Sequence, residues 1–187
     1  RDLVLAVSPC LLALPAALAP EIAFDPLRYH LALPALWLRE HRIFAIERFL
    51  FSDFPGTAET LYAAALAFGT TVSARLLTWQ CLILMTVQIH GYLAPRLGRT
   101  NAILLAAGFA ATPFLSVQSA FAGVDLMLAC LTLTAFLLIL ESLDRPGSPA
   151  PGTMIVIGWL FGTALGVKYL GAYAIAATAL ALAFAGK

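Results

Sequence analysis

The sequence predicts an all-α membrane protein of about six transmembrane helices, with a large extracytoplasmic first loop containing interfacial helices. Three observations predict it. Of the 187 residues, 61% are hydrophobic and 11% are charged, the latter about half of what a soluble domain carries. The apolar residues collect in five stretches, Leu3–Ala19, Leu76–Leu93, Ala102–Val117, Leu126–Leu140 and Met154–Phe184, and a bilayer-spanning helix needs ~20 such residues, range ~17–25. A polar island, Glu21–Arg75, separates the first two and holds six of the ten acids and five of the eleven Lys and Arg residues. Water-facing chemistry belongs there.

Leu3–Ala19 has features of a signal peptide, with basic Arg1 before it and small residues at Ala17-Leu18-Ala19. Pro9 and Pro15 break its apolar core, and everything after it is still membrane-like, so it reads as the first span. In the island, Asp25-Pro26 is a helix start, an acceptor at the N-cap followed by Pro in the first turn. Leu27, Leu31, Ala35 and Leu38 then share one face, and Arg28 and Arg39 another. This pattern predicts a helix from about Pro26 to Arg39 lying along the membrane interface, kinked at Pro34. Asp53-Phe54-Pro55-Gly56 makes a turn, Thr57–Phe68 a short helix ended by Gly69, and Arg75 opens the second span.

The middle three stretches are spans of ordinary or slightly short length. The last is too long for one crossing: 31 residues would make a helix of ~46 Å against a ~30 Å hydrocarbon core. It also carries Lys168 near its middle, where a bare ammonium is costly. It reads as two helices, Met154–Val167 and Tyr169–Phe184, meeting at Lys168 on the membrane face that also holds Asp25. Residues 1–187 thus form one transmembrane domain, with the extracytoplasmic loop 21–75 inside it and both termini, including Lys187, on one side. Arg96, Arg99 and Arg145 lie in short loops of that side, whereas Gln118–Asp125 has no Lys or Arg, which puts the termini in the cytoplasm. The five arginines of the island count the other way. The linker richest in Pro and Gly, Arg145–Gly152, falls on the cytoplasmic side.

A net charge of +1 with no basic run gives no case for nucleic acid as a partner. Cys10, Cys81 and Cys130 sit inside predicted spans without CxxC pairing and read as small apolar side chains. The three histidines make no metal cluster, and His30 has no evident partner.

The order of these features resembles the amino-terminal half of GT-C glycosyltransferases that use polyprenyl-phosphate sugars, a group that includes the protein O-mannosyltransferases and the aminoarabinose transferases of lipid A. The residues that carry the likeness are Asp25 followed by Arg28-Tyr29, the Pro55 turn with Glu59, Arg75 opening a span, Thr112-Pro113 before Asp125, and FGTALGVKYL from Phe161 to Leu170. Asp25 is followed here by Pro26 where relatives commonly have Asp-Glu, and Phe54-Pro55-Gly56 replaces a Lys-Pro-Pro. Such relatives have about twice as many spans and often a soluble carboxy-terminal domain, so the likeness implies a fragment or a shortened protein. It also implies an integral protein of the bacterial cytoplasmic (inner) membrane, whose partners are membrane lipid and a polyprenyl-phosphate sugar. Sugar and acceptor stay open.

On this likeness the acceptor hydroxyl must lose a proton while phosphate leaves, so a carboxylate acts as base and a cation neutralises the phosphate. Asp25 is the base of choice. Asp125 joins it, orients the acceptor or shares a metal; oxygen ligands suit Mg²⁺ or Mn²⁺ more than zinc. Arg28, Arg75 and Lys168 are candidates to hold phosphate, with Tyr29 and Glu59 beside the substrate, and Gly166 and Gly171 let the backbone near Lys168 approach a ligand closely. Each has an ordinary role too. Asp25 and Asp125 suit helix N-caps, Glu59 a helix dipole, Tyr29 an interfacial belt, and Arg28, Arg75 and Lys168 span-end anchors. Two other classes compete. A non-catalytic accessory subunit would pack on membrane-protein partners through small residues such as Ala106, Ala107, Gly108, Ala110 and Ala111. A transporter is the weakest, since no span carries an acid near mid-bilayer and no inverted repeat is visible.

Overall fold

The computed structural model describes residues 1–145 and 149–184, and every regular element among them is helical. Two helices are long and apolar enough to cross a membrane alone, Thr71–Leu97 and Asp125–Asp144, and a bent pair, Arg99–Ala110 with Pro113–Ser119, makes a third if counted as one span. In chain order the α-helices are α1 (Asp2–Val7), α2 (Cys10–Leu18), α3 (Ala32–Glu40), α4 (Thr57–Phe68), α5 (Thr71–Leu97), α6 (Arg99–Ala110), α7 (Pro113–Ser119), α8 (Asp125–Asp144), α9 (Pro151–Val167) and α10 (Gly171–Phe184). A π-helical turn at Pro26–His30 precedes α3, and a 3-10 turn at Leu50–Asp53 precedes α4.

Proline placement explains most of the breaks. The single helix expected over Leu3–Ala19 is two, because Pro9 interrupts the ladder and Leu11 and Leu12 bond three residues back, to Ser8 and Pro9. The span expected over Ala102–Val117 is a pair of helices, Arg99–Ala110 and Pro113–Ser119, bent by 61°. There Thr112 is held extended ahead of Pro113, the conformation that a residue before proline prefers. Pro34 causes no kink, since it lies in the first turn of α3, where its missing N–H has no intrahelical partner to lose. The break comes instead at Leu31, where the wide π turn closes with Leu31 N–H donating to the Pro26 carbonyl (2.9 Å). The last apolar stretch parts as its length requires: α9 ends at Val167, and Lys168 is extended before α10.

Helix α5 is the hub and packs against α1, α2, α4, α6, α7 and α8, while α8 carries α9. A Thr70 and Ser73 capping box starts α5, about 40 Å long by its 27 residues. The main core joins α4, α5 and α8 through Tyr62, Met85, Leu126 and Met127, with Cys81 and Cys130 buried among them and all three cysteines free. The small-residue face of α6 is used inside the molecule: Ala102, Ala106 and Ala110 are buried, and α6 packs on α1 and α5. That takes up Ala106 and Ala110, two of the five small residues expected to meet a partner subunit.

Ion pairs Asp2–Arg99 and Arg96–Asp144 tie one end of the bundle. The links after α2, α7 and α9 gather at the other, which is where the polar cavity lies. The Arg145–Gly152 linker lies partly outside the described residues, as does Lys187.

Gly166 and Gly171 serve helix packing and not a ligand. A Cβ on Gly166 would sit 2.4 Å from Thr57 Oγ1, and one on Gly171 would be 3.0 Å from the Ala164 backbone. Gly166→Ala should therefore push the first turn of α4 off α9 and lower stability by about 1–3 kcal/mol. Thermal unfolding in detergent checks this, with Thr57→Ala expected to restore most of the loss. An unshifted midpoint for the single variant would mean that α4 does not seat on α9.

Candidate functional site

The site begins with a buried lock. Arg75, 2% exposed, donates from Nε to the Ala120 carbonyl (2.6 Å) and from Nη2 to the Ala16 carbonyl (2.5 Å). Its Nε is 3.7 Å from Glu21 Oε2, which accepts from Ala122 N–H (2.8 Å), while Oε1 accepts from Ile22 and Ala23 N–H. One cation and one carboxylate thereby hold the end of α2, the start of α5 and the link before α8 in register. Tyr62 adds a second tie: its hydroxyl donates to the Gly123 carbonyl and meets Thr78 Oγ1 at 3.0 Å. Burial pushes the Tyr62 phenol well up from its ordinary value. Arg75 is thus far from solvent and lines neither lobe of the cavity, contrary to the expected phosphate contact.

With the links fixed, five of the seven expected site residues meet at one cavity of two lobes. The larger, about 340 Å³, is lined by Asp25, Tyr29, His30, Gln118, Asp125 and Lys168 among others. The smaller, about 200 Å³, is lined by Tyr29, His30, Phe54, Glu59, Lys168 and Tyr169 among others. Tyr29, His30, Val124 and Lys168 belong to both and form the junction.

Neither aspartate caps its helix. Asp25 makes no side-chain cap bond and, among the described residues, no ion pair, so its exposed carboxylate is open to the larger lobe. Asp125 opens α8 and takes Lys168 Nζ at 2.7 Å, with the two side chains 61% and 31% exposed. The break after Val167 is what frees Lys168 to reach across: its backbone is extended, and its own N–H still donates to Ala164 (3.0 Å). Arg28 turns away, its guanidinium 5.2 Å from the Phe24 ring centre and 5.3 Å from that of Phe51, outside both lobes.

His30 has the partner that the sequence did not reveal. Its Nδ1 lies 2.6 Å from Glu59 Oε1, with both side chains under 9% exposed. Glu59 Oε2 is buried with no hydrogen-bond partner among the described residues. A contact over 29 positions leaves no periodicity to read; the available signal was only a histidine beside the island's Tyr29 and an acid in the first turn of α4. Aromatic contacts run from this pair to the α9–α10 link, with Tyr29 stacked on Phe51 (4.4 Å), Phe51 edge-on to Phe54 and Phe54 edge-on to Tyr169 (6.1 Å). Burial first, then the negative field of Asp25, Glu59 and Asp125, pushes the Tyr29 phenol up to about 12, so it stays a neutral hydrogen-bonding group across the physiological range.

A divalent cation has few ligands to use. Among the described residues no three His, Cys, Asp or Glu side chains converge, and Asp125 already faces the Lys168 ammonium. Lys168 is the cationic side chain that lines both lobes of the cavity.

Fold and site define an all-helical protein with helices apolar enough to cross a membrane and a charged, aromatic-walled cavity at one end of its bundle. No family model, curated protein or solved structure matches the chain.

Proposed function

We infer that the chain is a membrane glycosyltransferase, or its amino-terminal half, that moves a sugar from a polyprenyl phosphate to an acceptor hydroxyl on the extracytoplasmic side of a bacterial inner membrane. The observation that carries this reading is the meeting of Asp25, a carboxylate without an ion pair among the described residues, with the Lys168–Asp125 pair at one cavity. In the six-span topology α1–α2 and α6–α7 are broken spans, and α5, α8, α9 and α10 are the others. The cavity then faces outward, while Arg96, Arg99 and Arg145 face the cytoplasm.

The chemistry follows from the charges. The acceptor oxygen attacks the anomeric carbon, its proton passes to Asp25, and the bond from that carbon to the phosphate oxygen breaks. Lys168 neutralises the charge that grows on the departing polyprenyl phosphate. Asp125 holds the ammonium in place and yields part of it to the phosphate. Phe24 and Phe121, beside the larger lobe, and the apolar faces of α8 and α9 suit a lipid-borne donor.

Binding of polyprenyl phosphate to the protein in nanodiscs tests the reading. Lys168→Gln should weaken it by about 10–100-fold, as expected for loss of a charge-assisted contact of roughly 1.5–3 kcal/mol. Equal binding by variant and wild type would remove Lys168 from the phosphate site.

A further inference from the structure

The two lobes differ in chemistry, and the smaller one has no role in the scheme above beyond its share of Lys168. It holds about 200 Å³, below the roughly 300–1,000 Å³ of pockets that take drug-sized ligands. One small ring fits, and a lipid chain does not. Its walls are aromatic: Tyr29, Phe54 and Tyr169, the last two edge-on at 6.1 Å. Its floor is the His30–Glu59 pair.

That floor calls for a hydrogen-bonding ligand. The Glu59 side chain is 7% exposed, and its Oε2 has no partner among the described residues, a costly state for a buried carboxylate. Glu59 Oε1 holds His30 by Nδ1, which leaves Nε2 as the ring nitrogen outside that contact. Imidazole held in this way offers Nε2 as the free polar atom of a residue that lines both lobes.

We propose that the smaller lobe is the sugar subsite and takes an uncharged pyranose, with the ring's C–H face against Phe54 and Tyr169 and a ring hydroxyl on His30 Nε2. Glu59 is a positioning residue that sets the imidazole, and its buried negative charge disfavours sugars that carry a carboxylate. The anomeric carbon then lies at the junction, where Lys168 receives the phosphate, and the acceptor comes from the Asp25 side through the larger lobe. The proposal rests on the transferase reading and adds the class of sugar and the residues that select it.

The test compares three lipids in nanodiscs: polyprenyl phosphate, polyprenyl-phosphate glucose and polyprenyl-phosphate glucuronic acid. Wild-type protein should bind the glucose lipid about tenfold more tightly than the bare phosphate, a difference of about 1.4 kcal/mol, and should show no such gain for the glucuronic acid lipid. Glu59→Leu, which removes the acceptor that sets the imidazole, and Tyr169→Ala should each abolish the gain while bare-phosphate binding stays as in wild type. Tyr169 is exposed, so its loss leaves the core intact, and unchanged bare-phosphate binding certifies the fold of both variants. Equal wild-type affinity for bare and glucose lipids, or a gain that survives both substitutions, overturns the subsite. Absence of binding to all three lipids by the wild type overturns the transferase reading, and the subsite with it.

Discussion

Asp25→Asn is expected to lower sugar transfer by about 10²–10⁴-fold, the contribution of a positioned general base, with expression and membrane insertion unchanged. Asn has nearly the shape of Asp but takes no proton at neutral pH. The substitution is structurally mild here because Asp25 makes no cap bond and, among the described residues, no ion pair. Single-turnover transfer by purified wild-type and variant protein separates this chemical loss from any change in donor affinity, which should stay within about threefold if Lys168 holds the phosphate. Full activity in the Asn variant would remove Asp25 as the base and move that role to the Asp125 side.

Arg75→Met has the largest expected effect on stability, about 3–5 kcal/mol, because it leaves the buried Glu21 carboxylate without its counter-charge. It also removes the guanidinium donor to the Ala120 carbonyl and one of the two donors to the Ala16 carbonyl, which keeps Ala19 N–H. Thermal unfolding in detergent should show the loss, and Glu21→Gln in the same chain should recover part of it by removing the stranded charge. An Arg75→Met protein with the wild-type midpoint but weakened phosphate binding would reinstate Arg75 as a substrate residue.

What was legible in the sequence were the features set by neighbouring residues. Helix α4 covers Thr57–Phe68 because Pro55-Gly56 and Gly69 bound it locally. The break at Lys168 follows from counting residues against a bilayer, and it brings Lys168 to Asp125. Proline acts by its place in the helix: Pro34 sits where a first turn tolerates it, whereas Pro113 bends a stretch that hydropathy alone renders continuous. The burial of Arg75 and the pairing of His30 with Glu59 were not legible, since each depends on chain segments far apart in sequence. A charge at the start of an apolar run reads as a snorkelling anchor until the carbonyls that surround it are known. The site residues thus divide by cause. Asp25, Asp125, Tyr29, Glu59 and Lys168 meet where three links converge, and Arg75 ties two of them, those after α2 and α7, to the start of α5.

The central claim is sugar transfer from a polyprenyl phosphate, and its most direct measurement uses the intact protein in membranes with a donor whose sugar carries a radiolabel. The account gives movement of label from lipid to an acceptor hydroxyl, accompanied by free polyprenyl phosphate and reduced to background by Asp25→Asn. Label that remains on the lipid, in membranes where the protein is folded and inserted, would contradict it and make the chain a non-catalytic subunit.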